Sequence, residues 1–147
     1  DITITQENGE ILYQKTIDDL IDMKLQQLKI KEYKIEMNEE ESEYYESYFF
    51  KSKNLNKDKV LEFISKNNLD RSILYEKINT AIAWEKLSSG LFYRTVSVSE
   101  IEIEELLKND VTLSPEIAKR ILVNKQVRLK SDKYLRDLRA EANIEKR

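Results

Sequence analysis

Carboxylates are the side chains in this sequence whose type and spacing could support chemistry. Glu39 and Glu43 lie four residues apart in an acidic segment, a spacing that places both on one side of a helix. Such a pair could bind a cation or share a proton in acid–base catalysis. A solvated helix face explains the same pair without a ligand. The chain has no histidine and no cysteine, which excludes the commonest general base and any thiolate metal site.

Hydroxyl chemistry has little support in the sequence. Ser88-Ser89-Gly90 offers hydroxyl groups, but no histidine is present to activate them, and a lysine base would lack a supporting motif. The end of a helix explains this run. With two glycines and one proline, the chain also has no glycine-rich loop for phosphate. We therefore predict that the protein is not an enzyme and needs no metal, nucleotide or other cofactor.

The aromatic side chains are better candidates for binding. Rings supply large apolar contact areas, and a groove that they line would hold an unfolded chain with little sequence selection. Packing inside a helical core is the ordinary explanation for the same residues. The candidates for contacting a client polypeptide are Tyr44, Tyr48, Phe49, Trp84, Phe92 and Tyr93.

Charge is unevenly distributed around a net value of −3. The acidic cluster consists of Glu36, Glu39, Glu40, Glu41, Glu43 and Glu46. The basic cluster consists of Lys119, Arg120, Lys125, Arg128, Lys130, Lys133, Arg136 and Arg139. Two solvated helix faces that attract each other within the fold explain both clusters. An RNA-binding helix is the alternative for the basic cluster, but the overall acidity favours a protein that does not bind nucleic acid.

The sequence shows no segment that inserts into a membrane. No apolar run approaches the roughly 20 residues that a membrane-spanning helix needs. No signal peptide is visible, since Asp1 opens directly into an alternating segment. An exported protein whose signal has been removed would have this appearance, and so would a cytosolic protein.

Helices dominate the predicted secondary structure, because 36% of the residues are charged and breakers are scarce. Apolar residues recur at helical spacing between several capping signals. The predicted helices run over about 16–33, from Asn38 to about 51, over about 57–67, from Asp70 to about Ser89, from Ser99 to about 108 and from Ser114 to about 142. Gly90 is expected to end the fourth helix in a left-handed conformation.

The two ends of the chain are predicted to pair. Asp1–Thr5 alternates polar residues with isoleucine, Asn8-Gly9 signals a turn, and Ile11-Leu12 continues the extended chain. Asn143–Arg147 is predicted to leave the last helix as a second strand. The expected fold is therefore mainly α: a single multi-helix orthogonal domain, 1–147, with a small two-stranded sheet formed by the chain termini.

Two segments carry a family resemblance. Thr80–Leu107 (TAIAWEKLSSGLFYRTVSVSEIEIEELL) and Tyr134–Arg147 (YLRDLRAEANIEKR) resemble parts of the SurA family of bacterial periplasmic chaperones. In that family a helical core is built from both ends of the chain, with prolyl-isomerase modules between them. Residues 1–107 resemble the family's N-terminal region, and 114–147 resemble its C-terminal segment.

The chain departs from that pattern in two places. The join between Leu107 and Ser114 is too short to hold an isomerase module, so the family's isomerase activity is not expected here. The segment before the first long helix is also short, and the family usually has another helix there that helps to wall its groove.

The resemblance implies an ATP-independent chaperone that holds unfolded outer-membrane protein precursors in the periplasm. Its partners would be unfolded or extended, aromatic-rich polypeptides. A helical adaptor or assembly protein that binds one folded partner is the alternative.

Overall fold

A computed structural model describes the backbone of residues 6–142 and the side chains of residues 14–142. This range folds into six α-helices and one 3-10 turn. The helices are α1 (Gln6–Glu32), α2 (Glu39–Ser52), α3 (Lys57–Lys66), α4 (Arg71–Phe92), α5 (Glu100–Asn109) and α6 (Pro115–Glu141), with the 3-10 turn Tyr93–Thr95 between α4 and α5. The mainly helical prediction is confirmed.

The predicted two-stranded sheet is wrong, because residues 6–142 contain helices and no strand. The two segments assigned to it, 1–5 and 143–147, lie outside the described residues. Asn8-Gly9 and Ile11-Leu12, expected as a turn and extended chain, are part of α1. The physical reason is that extending a helix adds one hydrogen bond per residue, whereas an isolated two-stranded ribbon is only marginally stable.

The chain divides into two compact units, 1–85 and 86–147, whose boundary falls inside α4. The first unit contains α1, α2, α3 and most of α4. The second contains the last turns of α4, the 3-10 turn, α5 and α6. Each unit has its own buried residues.

The core of the first unit joins α2 to α4. Phe50 packs with Ile78 and Ile82, which lie four residues apart on α4 as the sequence pattern predicts. Partly buried side chains surround this cluster, and they are Met37, Tyr45, Phe49, Val60 and Leu74. Since α2, α3 and α4 all contribute, this cluster fixes the three helices within the unit.

The first three helices end in the same left-handed turn without glycine. The residues with positive φ are Lys34, Asn54 and Asn68, at 53°, 56° and 52°. The amide of the following residue then bonds a carbonyl five positions back, as in Ile35 to Ile30 at 3.0 Å, Leu55 to Phe50 at 2.8 Å and Leu69 to Ile64 at 3.0 Å. This is the Schellman pattern, which satisfies carbonyls that a helix end leaves unpaired.

The expected stop at Gly90 is wrong, because α4 continues through Gly90 to Phe92 and no glycine in the described range has a positive φ. The helix instead tightens into the 3-10 turn. There the hydroxyl of Thr95 donates to the carbonyl of Phe92 at 2.8 Å. The hydroxyl of Thr95 therefore satisfies a carbonyl at the end of α4, where a left-handed Gly90 was predicted to end the helix.

In the second unit, α5 packs against α6 and the last turns of α4 contact α6. Ile103 of α5 and Ala118 and Val127 of α6 are buried. The buried hydroxyls of Ser88 and Ser131 lie 2.7 Å apart and share a hydrogen bond. This pair satisfies two polar groups that would otherwise be buried without partners.

The segment between the 3-10 turn and α5 begins in extended conformation. Val96 has φ −98° and ψ 146°. Side chains from α6 hold this segment: Gln126 donates to the carbonyl of Ser97 at 3.0 Å, and Lys130 donates to the carbonyl of Thr95 at 3.2 Å. The predicted N-cap of α5 is confirmed, since Ser99 Oγ accepts from the amide of Glu102 at 3.2 Å.

Replacing Ile78 with alanine should lower the free energy of unfolding by about 2–5 kcal/mol, because the side chain is fully buried and its loss leaves a cavity. Chemical denaturation followed by circular dichroism measures this loss. Ile73→Ala, an exposed position on the same helix, is the matched control and should change stability by about 0.5 kcal/mol or less. Equal losses in the two variants would contradict the assignment of Ile78 to the core.

Candidate functional site

Two tyrosines on α2 face solvent. Tyr44 and Tyr48 are 69% and 58% exposed, and they lie one helical turn apart. This spacing places both rings on the same side of α2, where solvent can reach them. We call the row Glu40, Tyr44 and Tyr48 the α2 aromatic face.

The start of α2 is fixed by a capping box. The side chain of Asn38 accepts a hydrogen bond from the amide of Glu41 at 2.7 Å. The carboxylate of Glu41 in turn accepts from the amide of Asn38 at 3.1 Å. Both amides would otherwise lack intrahelical partners. The sequence prediction of a helix beginning at Asn38 is confirmed, and the cap sets the position at which α2 starts.

The opposite side of α2 is anchored in the core of the first unit. Phe50 is buried, and Tyr45 and Phe49 pack partly buried against the same cluster. The ring of Tyr44 meets that of Tyr45 edge to face, with centroids 5.4 Å apart. The exposed tyrosine therefore rests on a ring that is itself anchored, which limits its rotation.

A polar network adds a second attachment for α2. The carboxylate of Glu46 accepts from the ammonium of Lys57 on α3 at 2.6 Å and from the hydroxyl of Tyr75 on α4 at 3.4 Å. The guanidinium of Arg71 lies 5.8 Å from the centre of the Tyr75 ring. The hydrogen bond to Glu46 raises the pKa of Lys57 above its ordinary value, against a smaller opposing effect of burial.

The outer surface of α2 carries a charge gradient. Glu39, Glu40 and Glu43 are exposed near its N-terminal end, and Lys51 is exposed near its C-terminal end. Within the part of the chain that the structure describes, these three carboxylates form no ion pair. The tyrosines lie between the acidic end and the lysine.

The remaining predicted contact residues have other surroundings. Phe49 is half-buried against the core of the first unit, and Trp84 is 8% exposed. Phe92 is half-buried and meets Tyr134 edge to face at 5.8 Å. Tyr93, in the second unit, is 60% exposed. Among the six candidates, the structure brings Tyr44 and Tyr48 together on one solvent-facing surface.

A shallow pocket of about 580 Å³ lies between the end of α1 and the middle of α4. Ile30, Ile35 and Ala83 line its apolar part. At its side, Gln27 donates to the carboxylate of Glu76 at 2.9 Å and to the hydroxyl of Thr80 at 3.1 Å. These polar groups satisfy one another at the edge of the pocket.

The described side chains do not form a group of three or more carboxylates that could hold a metal ion. None of the helices in residues 6–142 combines the length and apolar character that crossing a membrane requires. No protein-family model, curated protein or solved structure matches the chain.

The contact residues predicted from the sequence do not include the carboxylates of α2. The charge pattern predicts a solvated face for Glu40 and Glu43, without a link to the tyrosines. The signal that joins them is the spacing of Glu40, Tyr44 and Tyr48, which are four residues apart in succession. An acidic residue and two rings on one helical row form a surface with both charge and apolar area.

Replacing Asn38 with alanine should destabilise the protein by about 1 kcal/mol, because the amide of Glu41 loses its acceptor. Thermal or chemical denaturation measures the change. Asn38→Asp retains a side-chain acceptor at the same position and should remain close to the original stability. A loss of the same size in both variants would show that the cap does not hold the start of α2.

Proposed function

We propose that this chain is a binding module that holds unfolded or extended, aromatic-rich polypeptide, without ATP and without catalysing a reaction on it. The observation that carries this proposal is the pair of exposed tyrosines on α2, whose helix is anchored from the opposite side. A fixed aromatic surface loses little conformational freedom when it binds a partner, and its rings contact apolar side chains of many sequences.

The anchoring of α2 supports this proposal in a specific way. Phe50 holds the helix through buried contact, and Glu46 holds it through Lys57 and Tyr75. Neither attachment uses Tyr44 or Tyr48, so a ligand could cover both rings without displacing a core residue. Binding would then leave the fold of the unit unchanged.

The resemblance of Thr80–Leu107 and Tyr134–Arg147 to SurA-type chaperones extends the proposal to a biological setting. By that resemblance, the clients are unfolded precursors of outer-membrane proteins, and the compartment is the periplasm. Weak binding spread over several contacts suits this role, because a client must be released after it has been held.

Alanine at both Tyr44 and Tyr48 should weaken binding of an aromatic-rich peptide about tenfold, since each ring contact contributes about 0.5–1.5 kcal/mol. Fluorescence anisotropy with a labelled peptide measures this affinity. Tyr33→Ala removes another exposed tyrosine of the same unit and should leave affinity unchanged. Affinity for an uncharged peptide should change little with salt, because apolar contact is only weakly screened.

Two results would contradict the proposal. One is equal affinity of the double variant and the original protein, with both folded by circular dichroism. The other is failure to suppress aggregation of several unrelated unfolded proteins. Binding confined to one folded partner, without such suppression, would favour the adaptor function.

The chain should show no prolyl-isomerase activity, because the join between Leu107 and Ser114 leaves no room for a catalytic module. In the structure, only the five residues 110–114 connect α5 to α6. A protease-coupled peptide assay tests this expectation. Saturable acceleration by the purified protein, absent from a heat-denatured sample, would overturn it.

A further inference from the structure

The α2 aromatic face combines two kinds of contact that a single ligand side chain could use. Glu40 and Glu43 are exposed carboxylates without an ion-pair partner in the described part of the chain. Tyr44 follows directly and is 69% exposed. A cationic group placed here would face both a carboxylate and an aromatic ring, and each attracts it.

The spacing of this row also fits an extended chain. Glu40, Tyr44 and Tyr48 succeed one another by four residues, which is about 6 Å along the helix axis. Alternate side chains of an extended polypeptide lie on one side at intervals of about 6.6 Å. Two or three ligand side chains can therefore align with the row without bending the ligand.

We propose that this face selects extended segments in which a basic residue, preferably arginine, lies two positions from an aromatic residue. The inference rests on the proposed function and names the class of client that the same site prefers. The basic side chain lies against Glu40 and Glu43, and the aromatic side chain lies against the tyrosines. The charge complementarity between the two carboxylates and the basic residue is the reason for proposing this ligand.

The charge gradient along α2 also orients the bound segment. The acidic end of the helix attracts the basic residue of the ligand, whereas exposed Lys51 at the other end repels it. Arginine suits the site better than lysine, because its planar guanidinium can stack on a tyrosine ring while it bonds a carboxylate. The site therefore favours a positive charge of the ligand near the N-terminal end of α2 over one near its C-terminal end.

The test uses two short labelled peptides that differ at one position. One has arginine two positions from an aromatic residue, and the other has citrulline there, which keeps the shape and removes the charge. We expect the arginine peptide to bind about three- to fivefold more tightly at low salt. Raising the salt concentration should reduce this difference, while affinity for the citrulline peptide stays nearly constant.

Protein variants identify the carboxylates responsible. Glu40→Gln with Glu43→Gln should remove the preference for arginine and leave affinity for the citrulline peptide intact. Glu104→Gln with Glu105→Gln removes the same number of charges from exposed positions on α5, and should retain the preference. This matched pair separates a local contact from the effect of net charge.

Each alternative result has a distinct meaning. Equal affinity for both peptides would overturn the inference, and if Tyr44→Ala with Tyr48→Ala still weakened binding, the proposed function would stand. Loss of the preference in both glutamine pairs would also overturn it, because net charge would then be the cause. If the original protein bound neither peptide, the proposed function and the inference would fail together.

Discussion

The burial of Phe50 against Ile78 and Ile82 is the contact on which the candidate site depends. A helix turns about 100° per residue, so fixing one inward side chain fixes the direction of every other. With Phe50 turned toward α4, Tyr44 and Tyr48 must point away from it. The exposure of Tyr44 and Tyr48 is thus a geometric consequence of this small apolar cluster. The same cluster prevents α2 from rotating so that these two rings pack against the first unit.

Helix starts were predictable from the sequence because their signals are local. The side chains of Asn38, Ser99 and Ser114 each bond an amide within three residues, so a short stretch of sequence determines the cap. Helix ends were less predictable. Gly90 was expected to stop α4, yet the backbone remains helical there, since glycine permits a left-handed turn without requiring one. The early start of α1 was missed because the segment's alternation favoured a strand.

The candidate site was only partly predictable, since periodicity cannot rank adjacent aromatic residues by exposure. Tyr44 and Tyr45 are neighbours of identical chemistry, but one is exposed and the other packs against the core. Trp84 and Tyr93 differ in the same way, and only tertiary packing decides between them. The four-residue spacing that joins Glu40 to the tyrosines is visible in the sequence, but only the packing of Phe50 shows that this side of α2 faces solvent.

The three left-handed helix ends also bear on how fast the first unit folds. Each reversal is encoded within six residues, and only six, four and four residues connect α1 to α2, α2 to α3 and α3 to α4. Contacts such as Phe50 with Ile78 therefore close loops of modest length, which carries a small entropic penalty. Helical topologies of such low contact order fold in microseconds to milliseconds. A unit of this kind regains the α2 aromatic face quickly after a transient unfolding event.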